Sequence, residues 1–390
     1  MKKGWEIKRL KDAALVIAGQ SPEGKFYNDQ GNGIPFYQGK KEFTDKFIGE
    51  ATIWTTKVTK IAEPLDILIS VRAPVGALNI STEKICIGRG LAAIRPLNTL
   101  DRNFAYYFLL EQQDKIVGKE GAVFPSLNKA QIEDIEIPLP PLSVQQRIVS
   151  LLDESFEKVD TLKTNAERNL QNAKELFESA LTDELKPRKG WEEKKLGELA
   201  TFRNGMNFTR TGKGDVIQIV GVKDFQKSFW VPFDTLESVT LDGKLNEIDL
   251  LKENDILVVR SNGNPALIGR TLLSGKVNGN ISHSGFTIRI RLDSSVISPI
   301  YLCHYLKTKK TRKELVDSGN GVGIKSLNQG SLSSLSIPFP KSLIEQQTIV
   351  QKLEVLSTNC QSLETNYQKT IVQCEDMKKA ILAKAFNGEL

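Results

Sequence analysis

The chain is poor in the residues that build metal centres and covalent catalytic sites. Its 390 residues include two histidines, His283 and His304, and four cysteines, Cys86, Cys303, Cys360 and Cys374. The cysteines show neither CxxC pairing nor the spacing of a disulfide framework, which points to a reducing cytoplasm. So few soft ligands exclude a zinc site of the usual spacing. No apolar run reaches the roughly 18 residues that span a bilayer, so no membrane partner is expected. The opening "MKKGWEIKRLKDAALVIAG" is only superficially like a secretory signal, because its apolar run from Ala13 to Ala18 is short and no small-residue cleavage site follows.

Reaction motifs are equally scarce. GxSxG and HExxH are absent. A phosphate loop needs glycine directly before its lysine, and in "GNGVGIKS" from Gly319 that place is held by Ile324, so the stretch reads as a structural turn. Asn264-Pro265 lacks the Pro-Pro-aromatic continuation of an amino-methyltransferase. Asp242-x-Lys244 lacks the upstream Pro-Asp of a nuclease centre. Carboxylates are plentiful, but on the helical stretches they alternate with lysine as on a solvated face. A net charge of +6 adds a mild preference for an anionic partner.

What the chain does have is a repetition. "KKGWEIKRL" at Lys2 returns as "RKGWEEKKL" at Arg188, and "DILIS" at Asp66 returns as "DILVV" at Asp255. Ser-Leu-Asn at Ser126 recurs at Ser326, Ile137-Pro138 at Ile337-Pro338, and Gln-Gln-x-Ile-Val at Gln145 recurs at Gln346. "ALTDEL" at Ala180 is matched by "AFNGEL" at Ala385. Self-similarity of this extent means two copies of one fold. The distance between copies grows from 186 at the Gly-Trp opening to 200 at Ser-Leu-Asn, so each framework holds a different interior.

After each Ile-Pro-x-Pro the pattern becomes a long helix, opened by Ser143-x-x-Gln146 in one copy and Ser342-x-x-Glu345 in the other. Seam positions alternate four and three residues apart. The first series is Ile148, Leu152, Ser155, Val159, Leu162, Ala166, Asn169, Ala173, Leu176 and Ala180. The second is Ile349, Leu353, Leu356, Cys360, Leu363, Tyr367, Thr370, Cys374, Met377 and Ile381. A 3.5-residue repeat sustained this long predicts a coiled coil. Antiparallel pairing would run each helix from its own domain towards the other, giving one chain an approximate internal twofold. The expected fold is α+β: two similar mixed α/β domains separated by two long antiparallel coiled-coil helices. The boundaries are 1–142 and 187–342 for the domains, 143–186 and 343–390 for the helices.

The repeated Gly-Trp opening, "DIL" strand, "SLN…IP(L/F)P…QQxIV" block and helix ends resemble the specificity subunit of type I restriction–modification enzymes, over nearly the whole chain. "AFNGEL" after "KKAILAK" is especially typical. "ALTDEL" departs slightly, with Asp183 where glycine is more usual before Glu184. The resemblance implies a non-catalytic, cytoplasmic subunit with two target-recognition domains, each reading half of a split, asymmetric double-stranded DNA sequence. It implies docking of two methyltransferase subunits and of motor–nuclease subunits. No cofactor is then expected on this chain, since S-adenosylmethionine, ATP and magnesium belong to those partners. Val144–Leu185 would be about 60 Å of helix at ~1.5 Å per residue, a ruler of one to two DNA turns.

Donors able to reach bases are sought in loops. The first domain offers Gln38, Lys40 and Lys41 in "FYQGKK", Arg72 in "VRAPVG" and Arg89 in "IGRG". The second offers Arg260, Asn262 and Asn264 in "VRSNGN", with Lys223, Arg270 and His283. Arginine suits guanine edges and Asn or Gln suits adenine. Each of these residues also has a plainer reading as a loop residue or phosphate contact. Two other classes stay open: a coiled-coil scaffold that binds proteins without touching DNA, and an enzyme using the Gly319 loop or Asp242-x-Lys244.

Overall fold

Both copies of the "DIL" segment enter a buried strand through the same backbone turn. Leu65 (φ +71°) and Asn254 (φ +70°) are left-handed immediately before Asp66 and Asp255. Each aspartate is buried and folds back on its own turn: Asp66 Oδ2 accepts the Glu63 N–H at 2.8 Å, and Asp255 Oδ2 accepts that of Lys252 at 2.7 Å. Each also receives a guanidinium from the neighbouring strand, Arg95 Nη2 at 2.7 Å and Arg291 Nη2 at 2.6 Å. A paired, hydrogen-bonded carboxylate is tolerated where a lone buried one is not.

The computed structural model describes residues 5–117, 126–207, 212–226, 228–293, 295–317 and 326–389. The chain divides into two compact units, 1–167 with 368–390, and 168–367. These units do not coincide with the sequence repeats. The tail of the first long helix (Leu142–Glu184, 43 residues) belongs to the second unit, and the tail of the second (Leu343–Asn387, 45 residues) belongs to the first.

In the first unit a four-stranded antiparallel sheet runs in the order Ala14–Ala18, Leu91–Pro96, Ile67–Ser70, Leu78–Ile80. Five short strands form a mixed sheet in which Ile34–Tyr37 runs parallel to Ile85–Ile87. Ile67 and Ile69 face a core shared with Phe104, Phe108, Ile148 and Leu152, while Leu68 faces a second core with Tyr37, Ile85 and Ile87. Burial on both faces explains why this strand reads as an unbroken apolar run. The second unit repeats the plan: Ala200–Asn204, Thr287–Leu292, Ile256–Val259, Thr271–Leu273, with Val216–Val220 parallel to Ile281–His283 in a mixed sheet of three strands. Among the described residues the mixed sheets, with five strands and three, are where the copies diverge.

The repeated phrase around Ser-Leu-Asn has a use at each position. Asn128 and Asn328 cap short helices, their Oδ1 atoms accepting the N–H of Gln131 at 2.9 Å and of Ser331 at 2.8 Å. Ile137 and Ile337 are fully buried on short strands paired with Glu6–Arg9 and Glu192–Lys195. Pro138 and Pro338 are accommodated because each ribbon has two strands, so both are edges. Gln145 and Gln346 are fully buried. Gln145 Oε1 accepts from Asp101 N–H while its Nε2 donates to Thr99 and Pro140; Gln346 does the same with Ser298, Val296 and Pro340. The expected capping boxes differ. Ser342 Oγ accepts from Glu345 N–H at 3.5 Å, but Ser143 lies inside a helix that starts at Leu142, where Pro141 supplies the first carbonyl.

Within the first unit the helical segments run antiparallel, with Asp160 paired to Lys378 and Lys163 to Glu375. Phe386 of "AFNGEL" meets Phe104 and Phe108 edge-on, at ring-centroid distances of 5.1 and 5.4 Å. Leu181 and Leu185 of "ALTDEL" enter the core of the second unit. That is why the helix ends carry a fixed apolar sequence. Of the seam residues, Ile148, Leu152, Val159, Ala166, Ala173, Ile349, Leu353, Cys360 and Cys374 are buried, and Leu356, Tyr367 and Ile381 are half-buried. Leu162, Leu176, Leu363 and Met377 are exposed instead, by 47%, 50%, 39% and 46%. The heptad holds, but its second position falls one residue later, at Lys163, Phe177, Glu364 and Lys378, which are half-buried. Long charged side chains can bury an aliphatic stem and still reach a partner at the rim.

Candidate nucleic-acid interface

Three strand ends of the first unit converge on one open cleft of about 500 Å³. Ile34–Tyr37 delivers Gln38 and Lys40, Ile67–Ser70 delivers Arg72, and Ile85–Ile87 delivers Arg89. Backbone bonds fix the floor: Gly88 N–H to Tyr37 C=O at 2.8 Å, Gly90 N–H to Gln38 C=O at 3.1 Å, and Val71 N–H to Gly90 C=O at 2.9 Å. Glycine at 90 is a requirement of this approach, since a Cβ there would lie 2.3 Å from the Gln38 oxygen. Ser70 Oγ donates to the carbonyls of Arg72 and Pro74, at 3.0 and 3.2 Å, holding the turn that presents Arg72. Gln38, Lys40, Arg72 and Arg89 are all exposed, and among the described residues no carboxylate lines the cleft. Lys41 is exposed on the same turn but does not line the cleft.

The second unit treats its candidates differently. Lys223 is exposed on the turn Val222–Asp224 and pairs with Glu237 at 2.5 Å. Arg260, Asn262 and Asn264 stand on the loop that follows Ile256–Val259. The Asn262 and Asn264 side-chain oxygens accept from the backbone N–H of Asn264 (2.8 Å) and Ala266 (3.0 Å), shaping that loop from within. Arg260 Nε is buried without a hydrogen-bond partner among the described residues. Arg270 is half-buried, and its Nη1 donates to the carbonyls of Phe225 and Gln226, at 2.9 Å each.

His283 is a correction. It is 1% exposed, its Nδ1 lies 2.8 Å from Thr287 Oγ1, and burial pushes its pKa down to about 3. It cannot reach a base edge. Ser284 N–H bonds to Val220 C=O as Gly88 N–H bonds to Tyr37 C=O, so His283 holds the core position of Ile87 in the repeat.

The same equivalence exposes a residue that a search for hydrogen-bond donors passes over. Arg260 N–H bonds to Phe286 C=O at 2.9 Å as Val71 N–H bonds to Gly90 C=O, and Phe286 is 60% exposed. Aligning "IGRGLAAI" with "HSGFTIRI" would have shown an aromatic where the other copy has glycine. The glycine-rich Gly319–Lys325 stretch, which has Ile324 where a phosphate loop needs glycine, lies outside the described residues. Among the described residues no group of three or more His, Cys, Asp or Glu is placed to hold a metal ion, and no helix is long and apolar enough to cross a membrane.

Two copies of one scaffold carry unlike loops, and those of the first copy form an open cleft lined by Lys40, Arg72 and Arg89. Residues 2–171 and 188–373 match the model of the type I restriction modification DNA specificity domain, and the chain belongs to that family, whose members are the non-catalytic DNA-recognition subunits of their systems. It is 38% identical over 187 residues to a putative type I restriction enzyme MjaX specificity subunit of Methanocaldococcus jannaschii, covering 47% of this chain and 44% of that one. It is 30% identical to the StySPI specificity subunit of Salmonella potsdam, over 78% of this chain and 68% of that one. Its fold is similar to that of the HsdS subunit from Thermoanaerobacter tengcongensis, with a TM-score of 0.62 at 18% identity, covering 100% and 98% of the two chains. A second solved structure, described as the basis of complex assembly and conformational transition of a type I restriction–modification system, gives a TM-score of 0.78 at 18% identity, covering 100% and 99%.

Proposed function

We propose that the chain reads a split, asymmetric duplex sequence, one half through each unit, and carries methyltransferase subunits to it. The observation that carries this reading is the cleft of the first unit, where Lys40, Arg72 and Arg89 line one opening with Gln38 and no carboxylate joins them among the described residues. Cations hold backbone phosphates, while Arg and Gln also offer the bidentate donors that distinguish guanine and adenine in the major groove. Arg260, Lys223 and the exposed ring of Phe286 supply a different set in the second unit. Apolar side chains contact the thymine methyl group or wedge between base steps. Unlike readers on like scaffolds make the combined target asymmetric.

The long helices act as the spacer, each about 65 Å at ~1.5 Å per residue, against ~34–36 Å per DNA turn. Leu162 and Leu176 on the first helix, and Ile344, Val355 and Val372 on the second, expose apolar surface that suits a protein partner. We assign contacts at these exposed helix positions to methyltransferase subunits, with motor–nuclease subunits joining the assembly in the cytoplasm. S-adenosylmethionine, ATP and magnesium then act on those partners, and this chain supplies address alone. Co-expression with a cognate methyltransferase, followed by genome-wide mapping of methylated bases, tests the reading. A two-part motif with a fixed spacer is expected. Methylation at a continuous motif, or methyl transfer by the purified chain alone, would contradict it.

A further inference from the structure

Three cations of the second unit, Arg270, Lys307 and Arg312, line one open cleft of about 250 Å³, and no carboxylate lines it among the described residues. All three are tethered through backbone carbonyls. Arg270 Nη1 donates to Phe225 and Gln226, and Lys307 Nζ donates to Thr271 at 2.8 Å and Ser228 at 3.4 Å. Arg312 donates to Ile268 through Nε at 3.4 Å and to Ala266 through Nη2. A guanidinium carries five N–H donors and an ammonium three, so donors remain on every group after these bonds. Burial, and then the two guanidiniums, push the Lys307 pKa down; burial and Arg270 do the same to Arg312. Neutral donors would make the same carbonyl contacts without this repulsion. The charges are explained by an anion that offsets them.

The place of the cleft selects the anion. Val259 N–H bonds to Arg270 C=O and Gly269 N–H to Val259 C=O, both at 2.9 Å, so Arg270 stands across from the last strand residue before Arg260. Arg312, through Ala266 and Ile268, holds the same 260–270 loop that carries Asn262 and Asn264. We propose that the Arg270–Lys307–Arg312 cleft binds one phosphate group of the DNA backbone, fixing the second unit on the duplex beside its base-reading loop. This deepens the DNA-reading function and rests on it. Such a contact positions the protein without reading sequence.

The test titrates the full chain onto a duplex bearing its mapped motif over a series of KCl concentrations, using wild type, Lys307→Gln and Arg312→Gln, each checked for folding by its thermal melt. The slope of log affinity against log [KCl] should become shallower by about 0.9 per lost phosphate contact, while the preference for the motif over a scrambled duplex stays the same. An unchanged slope with retained motif binding overturns the cleft alone. A lost motif preference at unchanged slope assigns the cations to loop holding and also overturns it. Should Lys307→Gln fail to fold, Arg312→Gln is compared with wild type on duplexes carrying single neutral methylphosphonates. One position should weaken wild type and leave the variant unaffected, and equal sensitivity at every position contradicts the proposal. Inorganic phosphate is the separate arm: if it raises the melting temperature of wild type alone while DNA slopes coincide, the site holds a free anion and the backbone assignment is wrong. A chain that binds no motif duplex overturns the DNA-reading function together with this site.

Discussion

The side chain of Gln145 accepts the backbone N–H of Asp101 at 2.7 Å, and so locks the start of the first long helix onto the residue that caps the helix Arg102–Glu111. Gln346 and Ser298 repeat the arrangement in the second unit, also at 2.7 Å. In each Gln-Gln pair only the first residue is buried; Gln146 and Gln347 are exposed.

Gln145→Ala should therefore destabilise the first unit by about 3 kcal/mol, because an N–H and two carbonyls lose their partner in a closed site. Gln146→Ala should change stability by no more than about 0.5 kcal/mol. Urea denaturation of the two variants checks this, and equal effects would contradict the asymmetry.

A second prediction concerns pH. His304 is 3% exposed, neither ring nitrogen has a hydrogen-bond partner among the described residues, and burial followed by Lys307 pushes its pKa down to about 4. The unfolded chain, with its histidine near 6.5, takes up the proton first as pH falls. Stability is thus fully present above about pH 6.5 and is lost towards pH 4, by up to about 1.4 kcal/mol per pH unit for each such histidine. His283 adds to the same window and extends it to about 3. His304→Phe keeps the ring against Phe229, 4.5 Å away between centroids, and removes both orphan nitrogens. It should raise stability at pH 7 and flatten the loss between pH 6.5 and 5, measured by urea denaturation at each pH. An unchanged pH slope would contradict the assignment.

The exposed leucines of the first helix give a third. Leu162→Lys with Leu176→Lys should leave the melting temperature within a few degrees of wild type, since neither side chain is in the seam. Co-purification of the methyltransferase subunit should fall. Intact assembly with the double variant would move the docking surface elsewhere.

The scaffold was legible because its signals are local and repeated: a cap at Asn128 and Asn328, a buried Ile-Pro strand, a glutamine at the helix start. The coiled coil was legible in period but not wholly in phase. Hydrophobicity favours Leu162 over Lys163, yet Lys163 is the half-buried residue, with its charge carried to Glu375. His283 misled for a related reason, since its serine neighbours suggest a loop where the chain forms a buried strand. The cleft of the first unit was legible because Gln38, Arg72 and Arg89 all follow strand ends, where loops present side chains. Phe286, Lys307 and Arg312 were not, because an aromatic and two helical cations fall outside a search for donors in loops.

Under the proposed function each unit reads its own half of the target, and two single substitutions test that division most directly. Arg72→Ala and Phe286→Ala are expressed separately with the cognate methyltransferase, and methylated bases are mapped across a genome for each. Arg72→Ala should relax selectivity in one half of the motif, a loss of about 1–3 kcal/mol at the position it reads. Phe286→Ala should alter the other half, and neither should change the spacer. A shift in both halves from either single substitution would contradict the division of labour between the two units.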